Sequence, residues 1–189
     1  MQGKAKASAY GIERYVLLWV ILSFLGWCFE TVFVFFAFGE WRNQGFLTLP
    51  FCPIYGTALM SVYFLAGTPD EPRGLLKNTR KPLPRYALYA VIAFLVPTLF
   101  ELVVGFIFDK GFGVWLWSYH HLPYNWFGYV SLPVSLCWML LVWVFMKWAF
   151  PWLKSLITRL LEPIVRGTAL VALIVLGADF ALNIARKLL

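Results

Sequence analysis

The chain has 189 residues, of which 61% are hydrophobic, 20% aromatic and 13% charged, and its formal net charge is +7. Soluble domains are about half apolar and about a quarter charged, so this composition excludes an ordinary soluble enzyme. Nucleic acid is not the expected partner of the positive charge, because the basic residues lie between apolar runs and form no stripe interleaved with aromatic residues. We expect anionic lipid instead.

Five apolar segments are expected to be transmembrane helices, because a hydrocarbon layer about 30 Å thick needs roughly 20 apolar residues per helix. The segment before the first lacks the features of a cleaved signal peptide, so the first span is expected to stay in the mature protein. Pro50 and Pro53 should shorten the second span. The sequence predicts an all-α bundle forming one integral membrane domain over 1–189, with spans at 15–38, 53–66, 86–108, 126–150 and 164–185.

The segments between the spans differ in character. The connection at 67–85 is polar, carries turn residues and has no helical period, which is typical of a solvated loop. The connections at 41–52 and 109–124 contain Pro, Gly and aromatic residues, and we expect irregular or re-entrant paths there. Residues 151–162 place their leucines largely on one side, which predicts an amphipathic helix at the membrane interface.

The distribution of basic residues predicts the orientation, because lysine and arginine are retained on the cytoplasmic side of a membrane. The N-terminal segment and the second and fourth connections carry 12 of them, and the other side carries 4. We therefore expect a multi-pass protein of the cytoplasmic (inner) membrane with the N-terminus inside, the C-terminus outside and both irregular connections outside.

Acidic residues inside the predicted spans are the strongest sign of a site. A carboxylate at the centre of a membrane helix costs on the order of 3 kcal/mol, so Glu30 and Glu101 should face a partner, a cavity or a functional path. The sequence leaves two interpretations open, namely a ligand site or hydrogen bonds that only hold helices together. Asp179 lies near the outer end of its span, where anchoring is the favoured role.

A polar pocket open to the outer side is predicted where the two irregular connections add polar and aromatic residues to the glutamates. No catalytic signature occurs and no spacing typical of a metal site is present, since the adjacent His120 and His121 do not share a helical face. No metal and no cofactor is expected, and no catalytic residue is assigned. The candidate pocket residues are Glu30, Asn43, Tyr55, Glu101, Trp117, Tyr119 and Asn125.

Several spaced motifs between about 26 and 139 carry a family resemblance. They are a Gly-Trp pair followed by Glu30, a stretch at 43–56 similar to NRGFLxGPxxPIYGxG, Glu101, the sequence WSYH at 117–120, and Asn125 with Gly128 before a helix that contains Ser135 and Trp138. The chain resembles the ABC-transporter permease family of CmpB type, also called ABC-transporter type IV. It departs from the family pattern at Gln44, at Leu49 and in the element that the family has as WDYS, which reads WSYH here, so that the Asp of the family is lost at Ser118.

The resemblance implies a transporter-like or permease-like membrane protein. Because the sequence has no nucleotide-binding domain, ATP coupling would need a separate ATPase subunit. The leading hypothesis is an outward-facing polar pocket for a small or amphiphilic ligand, and a non-enzyme is favoured. Two alternatives stay open: a membrane enzyme acting on a lipid or isoprenoid, with Glu30 or Glu101 as general acid or base, and a structural subunit of a membrane complex. The expected partners are membrane lipids and either further copies of the chain or an ATPase subunit.

Overall fold

Helices make up most of the computed structural model, which describes residues 11–41 and 43–188. In this part of the chain the α-helices are α1 (Ile12–Phe38), α2 (Pro53–Ala66), α3 (Pro82–Phe112), α4 (Leu132–Val144), α5 (Phe150–Thr158) and α6 (Glu162–Leu188). Proline stands in the first turn of α2, α3 and α4, where the N–H that it lacks has no partner within the helix. Four stretches are long and apolar enough to cross a membrane, namely 12–36, 82–112, 132–158 and 162–187.

The predicted spans agree with these helices in most places. The second span and α2 share both bounds, and the third and fifth lie inside α3 and α6. The helix α2 has 14 residues and is therefore a short apolar helix. The segment that precedes the first predicted span lies mostly outside the described residues.

The fourth predicted span begins too early. Residues 125–131 form a small antiparallel hairpin in which β1 (Asn125–Trp126) pairs with β2 (Val130–Ser131). Gly128 in its turn has a φ of 74°, which a right-handed helix excludes. The helix α4 therefore begins at Leu132, after the hairpin, and not at 126.

The predicted separate helix at 151–162 is instead the last part of a longer helical stretch. A single π turn, Phe145–Ala149, joins α4 to α5. The apolar residues Leu153 and Ile157 of α5 are buried in the main hydrophobic core. An apolar stripe on a helix fits a neighbouring protein surface as well as a membrane surface, so the pattern alone did not separate the two.

The helical stretches α1, α2, α3, α4 with α5, and α6 run in alternate directions. The ring of Tyr15, near the start of α1, lies 6.3 Å from that of Tyr63, near the end of α2. The hydroxyl of Tyr89, near the start of α3, donates to the carbonyl of Gly67, just after α2, at 3.4 Å. Arg14 pairs with Glu162 at the start of α6, so α1, α3 and α6 begin at one end of the bundle. We call this the basic end, because the connection at 67–81, which carries four lysine and arginine residues, also lies there.

The helices α1 and α2 approach each other closely at two glycines. A side chain at Gly56 would overlap Ser23 and the backbone carbonyl of Trp19, and one at Gly26 would overlap the ring of Tyr55. Small residues at a helix interface let the backbones come close, which is how membrane helices gain packing contacts. This contact places Tyr55 against α1 near Glu30.

Candidate functional site

A cavity of about 520 Å³ lies between α1, α2, α3 and α4, in the half of the bundle away from the basic end. Its volume is in the range of about 300–1,000 Å³ that is usual for small-molecule sites. Both glutamates singled out by the sequence line it. The rest of the lining is mainly apolar and aromatic, and includes Leu22, Phe29, Leu59, Phe100, Val104 and Phe145.

Glu30 accepts hydrogen bonds from a residue of α2 and from the residue that directly precedes α2. The hydroxyl of Tyr55 donates to its carboxyl group at 3.1 Å, and the thiol of Cys52 donates at 3.5 Å. A thiol donates a hydrogen bond only while it keeps its proton. The two donors therefore belong to neutral side chains, and neither neutralises an ionised carboxylate.

Glu101 is held from α4 and from the connection between α3 and α4. Its Oε1 accepts from the hydroxyl of Tyr119 at 3.0 Å and from the indole Nε1 of Trp138 at 2.9 Å. Burial and the carboxyl group of Glu101 raise the pKa of Tyr119, which keeps this hydroxyl a donor. The other oxygen of Glu101, Oε2, is buried and has no hydrogen-bond partner among the described residues.

The connection between α1 and α2 turns back into the bundle before α2 begins. The N–H of Cys52 donates to the carbonyl oxygen of Ser23 at 3.0 Å. Ser23 lies near the middle of α1, roughly 22 Å from its end at about 1.5 Å per residue. The carboxyl group of Asp179 in α6 accepts from the N–H of Leu49 at 3.1 Å, so this residue anchors the connection.

The connection between α3 and α4 also folds towards the cavity. The N–H of Tyr119 donates to the carbonyl of Gly128 at 2.9 Å, and the indole of Trp117 donates to the carbonyl of Tyr129 at 2.9 Å. Tyr129 in turn donates through its hydroxyl to Asp109 at 2.6 Å. These bonds tie 117–129 to the end of α3 and direct Tyr119 to Glu101.

Five of the seven sequence-selected residues line the cavity, and two do not. Glu30, Tyr55, Glu101, Trp117 and Tyr119 are in the lining. The side-chain amides of two asparagines instead donate to backbone carbonyl oxygens, which explains why these residues do not line the cavity. They are Asn43, which donates to the carbonyls of Leu47 and Thr48 and accepts from Trp27, and Asn125, which donates to the carbonyl of Leu122.

Two residues of the site were missed by sequence reasoning. Cys52 and Trp138 donate to the two glutamates and line the cavity. The Trp138 position belongs to the motif that carries the family resemblance, which was a usable signal. Among the described residues, no group of three or more His, Cys, Asp or Glu side chains is arranged to hold a metal ion.

The arrangement is suited to binding. Two carboxyl groups stand in an apolar, aromatic enclosure, and the side chains that contact them are neutral donors. Comparison with known families matches residues 17–184 to the family described as Putative ABC-transporter type IV. No curated protein and no solved structure matches the chain.

Proposed function

The chain belongs to the Putative ABC-transporter type IV family, and on this premise we propose that it is a permease-like protein that holds an amphiphilic ligand in the cavity beside Glu30 and Glu101. The four long apolar helices and the family together make it an integral membrane protein. The observation that carries the proposal is the cavity itself, because both acids and both irregular connections line it.

The proposed topology has five crossings, with the N-terminus inside and the C-terminus outside. The alternating helix directions support it, since α1, α3 and α6 begin together at the basic end. At about 1.5 Å per residue α2 is roughly 21 Å long, shorter than a hydrocarbon layer of about 30 Å. The connection that reaches Ser23 brings the chain into the bundle from the outer side before α2 begins. The short helix α2 then needs to cover only the remaining depth, and it adds one crossing to those of the four long stretches. The basic end then lies on the cytoplasmic side of the inner membrane, and the cavity lies in the outer half of the bilayer.

The lining supports an amphiphilic ligand over a fully polar one. Most of the enclosing side chains are apolar, which suits a hydrocarbon portion, and the two carboxyl groups supply a small number of placed polar contacts. In this proposal Glu30, Tyr55, Glu101, Trp117 and Tyr119 contact the ligand. Asn43 and Asn125 act indirectly, by holding the two connections.

Energy coupling in this proposal comes from other subunits. The family description supports a separate ATPase partner or an assembly of several copies. The helix α6 contacts mainly α1 and exposes Leu170, Ile174 and other apolar residues, so it offers surface to lipid or to a further subunit.

Filling the cavity tests the proposal. Val104 lines the cavity, whereas its neighbour Val103 is 51% exposed on the outside of the same helix. Val104→Trp should displace a ligand, and Val103→Trp is the matched control. We would offer wild type and both variants, in phosphatidylcholine nanodiscs, a mixture of dodecylamine, dodecanol and dodecanesulfonate, and count bound molecules by native mass spectrometry.

The expected result is at least one bound amphiphile on wild type and on Val103→Trp, with at least tenfold less on Val104→Trp. Size-exclusion profiles and circular dichroism establish that both variants fold. Equal binding by the two variants, or no binding by wild type, would overturn the proposal.

A further inference from the structure

We propose that the head group of the ligand is an N–H-bearing organic cation, such as a primary ammonium on a hydrocarbon tail, bound between Glu30 and Glu101. This inference rests on the proposed function and adds the chemical class of the ligand. Four features of the cavity carry it: its charges, the aromatic link between the acids, an unused acceptor and the aromatic wall.

The charges of the lining have one sign. Glu30 and Glu101 are its acidic residues, and none of the described residues that line the cavity is lysine, arginine or histidine. The four side chains that donate to them are two tyrosines, a cysteine and a tryptophan. A buried charge needs a partner of opposite sign, and here the protein side chains in contact do not supply one. An ammonium group would do so, whereas an anionic head would meet two carboxyl groups.

The two acids are connected through a pair of aromatic rings. Tyr55, which donates to Glu30, and Trp138, which donates to Glu101, contact each other edge to face with ring centroids 5.3 Å apart. This chain of contacts brings both carboxyl groups to one region of the cavity. The proposed head group is placed there, between the two acids.

Glu101 has an acceptor that the protein does not use. Both donors to this side chain, Tyr119 and Trp138, bond Oε1, and Oε2 is buried without a partner among the described residues, although only 8% of Glu101 is exposed. Native structures leave few buried polar atoms unpaired, and a carboxyl oxygen left without a partner has room in its hydrogen bonding for a donor from a ligand. An N–H group satisfies it after a small displacement of the side chain, and a quaternary ammonium, which has no N–H, does not.

The aromatic wall also favours a cation. The rings of Phe29, Tyr55, Phe100 and Trp138 line the cavity together with the acids. The ring of Phe29 lies 6.1 Å from that of Trp138, which extends the aromatic surface beyond the Tyr55 contact. The face of an aromatic ring attracts a cation electrostatically, most strongly when water is excluded. The same rings give a neutral head group no comparable gain.

The test compares three probes that share one tail and differ in the head group. Dodecylamine carries a protonated amine at neutral pH, dodecanol is neutral and dodecanesulfonate is anionic. Each is titrated singly into wild type, Glu101→Gln, Glu30→Gln and the control Glu71→Gln, which changes an exposed acid at the basic end. The protein is held in phosphatidylcholine nanodiscs, and occupancy is read by native mass spectrometry.

We expect wild type to bind dodecylamine at least tenfold more tightly than the other two probes. Glu101→Gln and Glu30→Gln should each weaken dodecylamine binding about tenfold and leave dodecanol binding unchanged, and Glu71→Gln should change neither. The ranking of the probes on wild type needs no substitution, so it tests the inference even where a variant does not fold.

Two results separate this inference from the proposed function. If dodecanol or dodecanesulfonate binds as tightly as dodecylamine, and Val104→Trp still removes the bound probe, the head-group assignment is wrong and the pocket stands. If Val104→Trp binds every probe as well as wild type does, or if wild type binds none, the proposed function is itself wrong.

Discussion

Replacing Gly26 by alanine should disrupt the contact that positions the site. The added methyl group would overlap the ring of Tyr55, which donates to Glu30 at 3.1 Å. Overpacking a filled interface costs about 1–3 kcal/mol. Gly177 in α6 is the control, because a methyl group there meets nothing within 4 Å. Both substitutions gain up to about 1 kcal/mol in helix propensity, so the difference between the variants isolates the contact.

The expected difference in free energy of unfolding is therefore about 1–3 kcal/mol, with Gly26→Ala the less stable variant. For a chain of this length, that corresponds to roughly 2–12 °C in the apparent Tm. The assay is thermal unfolding of the purified protein in detergent, followed by circular dichroism at one fixed scan rate, because such unfolding is often irreversible.

A double-mutant cycle with Tyr55→Phe shows whether the hydrogen bond to Glu30 is affected. A bond to a charged group contributes about 1.5–3 kcal/mol, so Tyr55→Phe should destabilise the wild-type protein. If the methyl group at Gly26 has already displaced the ring, Tyr55→Phe should cost little in the Gly26→Ala background. Equal Tm values for Gly26→Ala and Gly177→Ala, or full additivity in the cycle, would refute this reasoning.

Two further predictions concern orientation and the basic end. In a chain whose native cysteines are replaced by alanine, a membrane-impermeant maleimide should label His121→Cys in intact cells and Asn78→Cys only after permeabilisation; the reverse pattern contradicts the proposed topology. Arg14→Gln removes the ion pair with Glu162, which links the starts of α1 and α6, and should lower the free energy of unfolding by about 1–3 kcal/mol. Arg166→Gln, at an exposed position of α6, should lower it by less than about 0.5 kcal/mol, and an equal loss in both variants would show that the pair contributes nothing specific.

The helices were largely predictable from the sequence because their causes are local. Apolar runs of sufficient length, with proline in the first turn and glycine after the last, mark a helix without reference to the rest of the chain. Pro53 and Gly67 bound α2 in this way, and its predicted limits match the structure. The same local signals hid the hairpin at 125–131, because Trp126, Phe127, Tyr129 and Val130 continue directly into the apolar sequence of α4.

The two acids of the cavity were also recognisable from the sequence, because an ionisable residue in an apolar membrane helix is costly. The side chains that donate hydrogen bonds to them could not be identified from the sequence. Tyr55, Tyr119 and Trp138 reach Glu30 and Glu101 across 18 to 37 residues of chain, and such contacts depend on how the helices pack.

Tertiary structure alone decided which polar residues share the cavity. Asparagine often binds ligands, so the residue type alone made Asn43 and Asn125 reasonable candidates. Their amides donate to backbone carbonyl oxygens because of the path that the surrounding backbone takes. The composition and the apolar runs thus determined a helical membrane protein with two acids in its interior. The packing of α1 to α4 decided that the two acids meet in one enclosure, because the distance between two side chains far apart in sequence is set by helix contacts and not by local propensity.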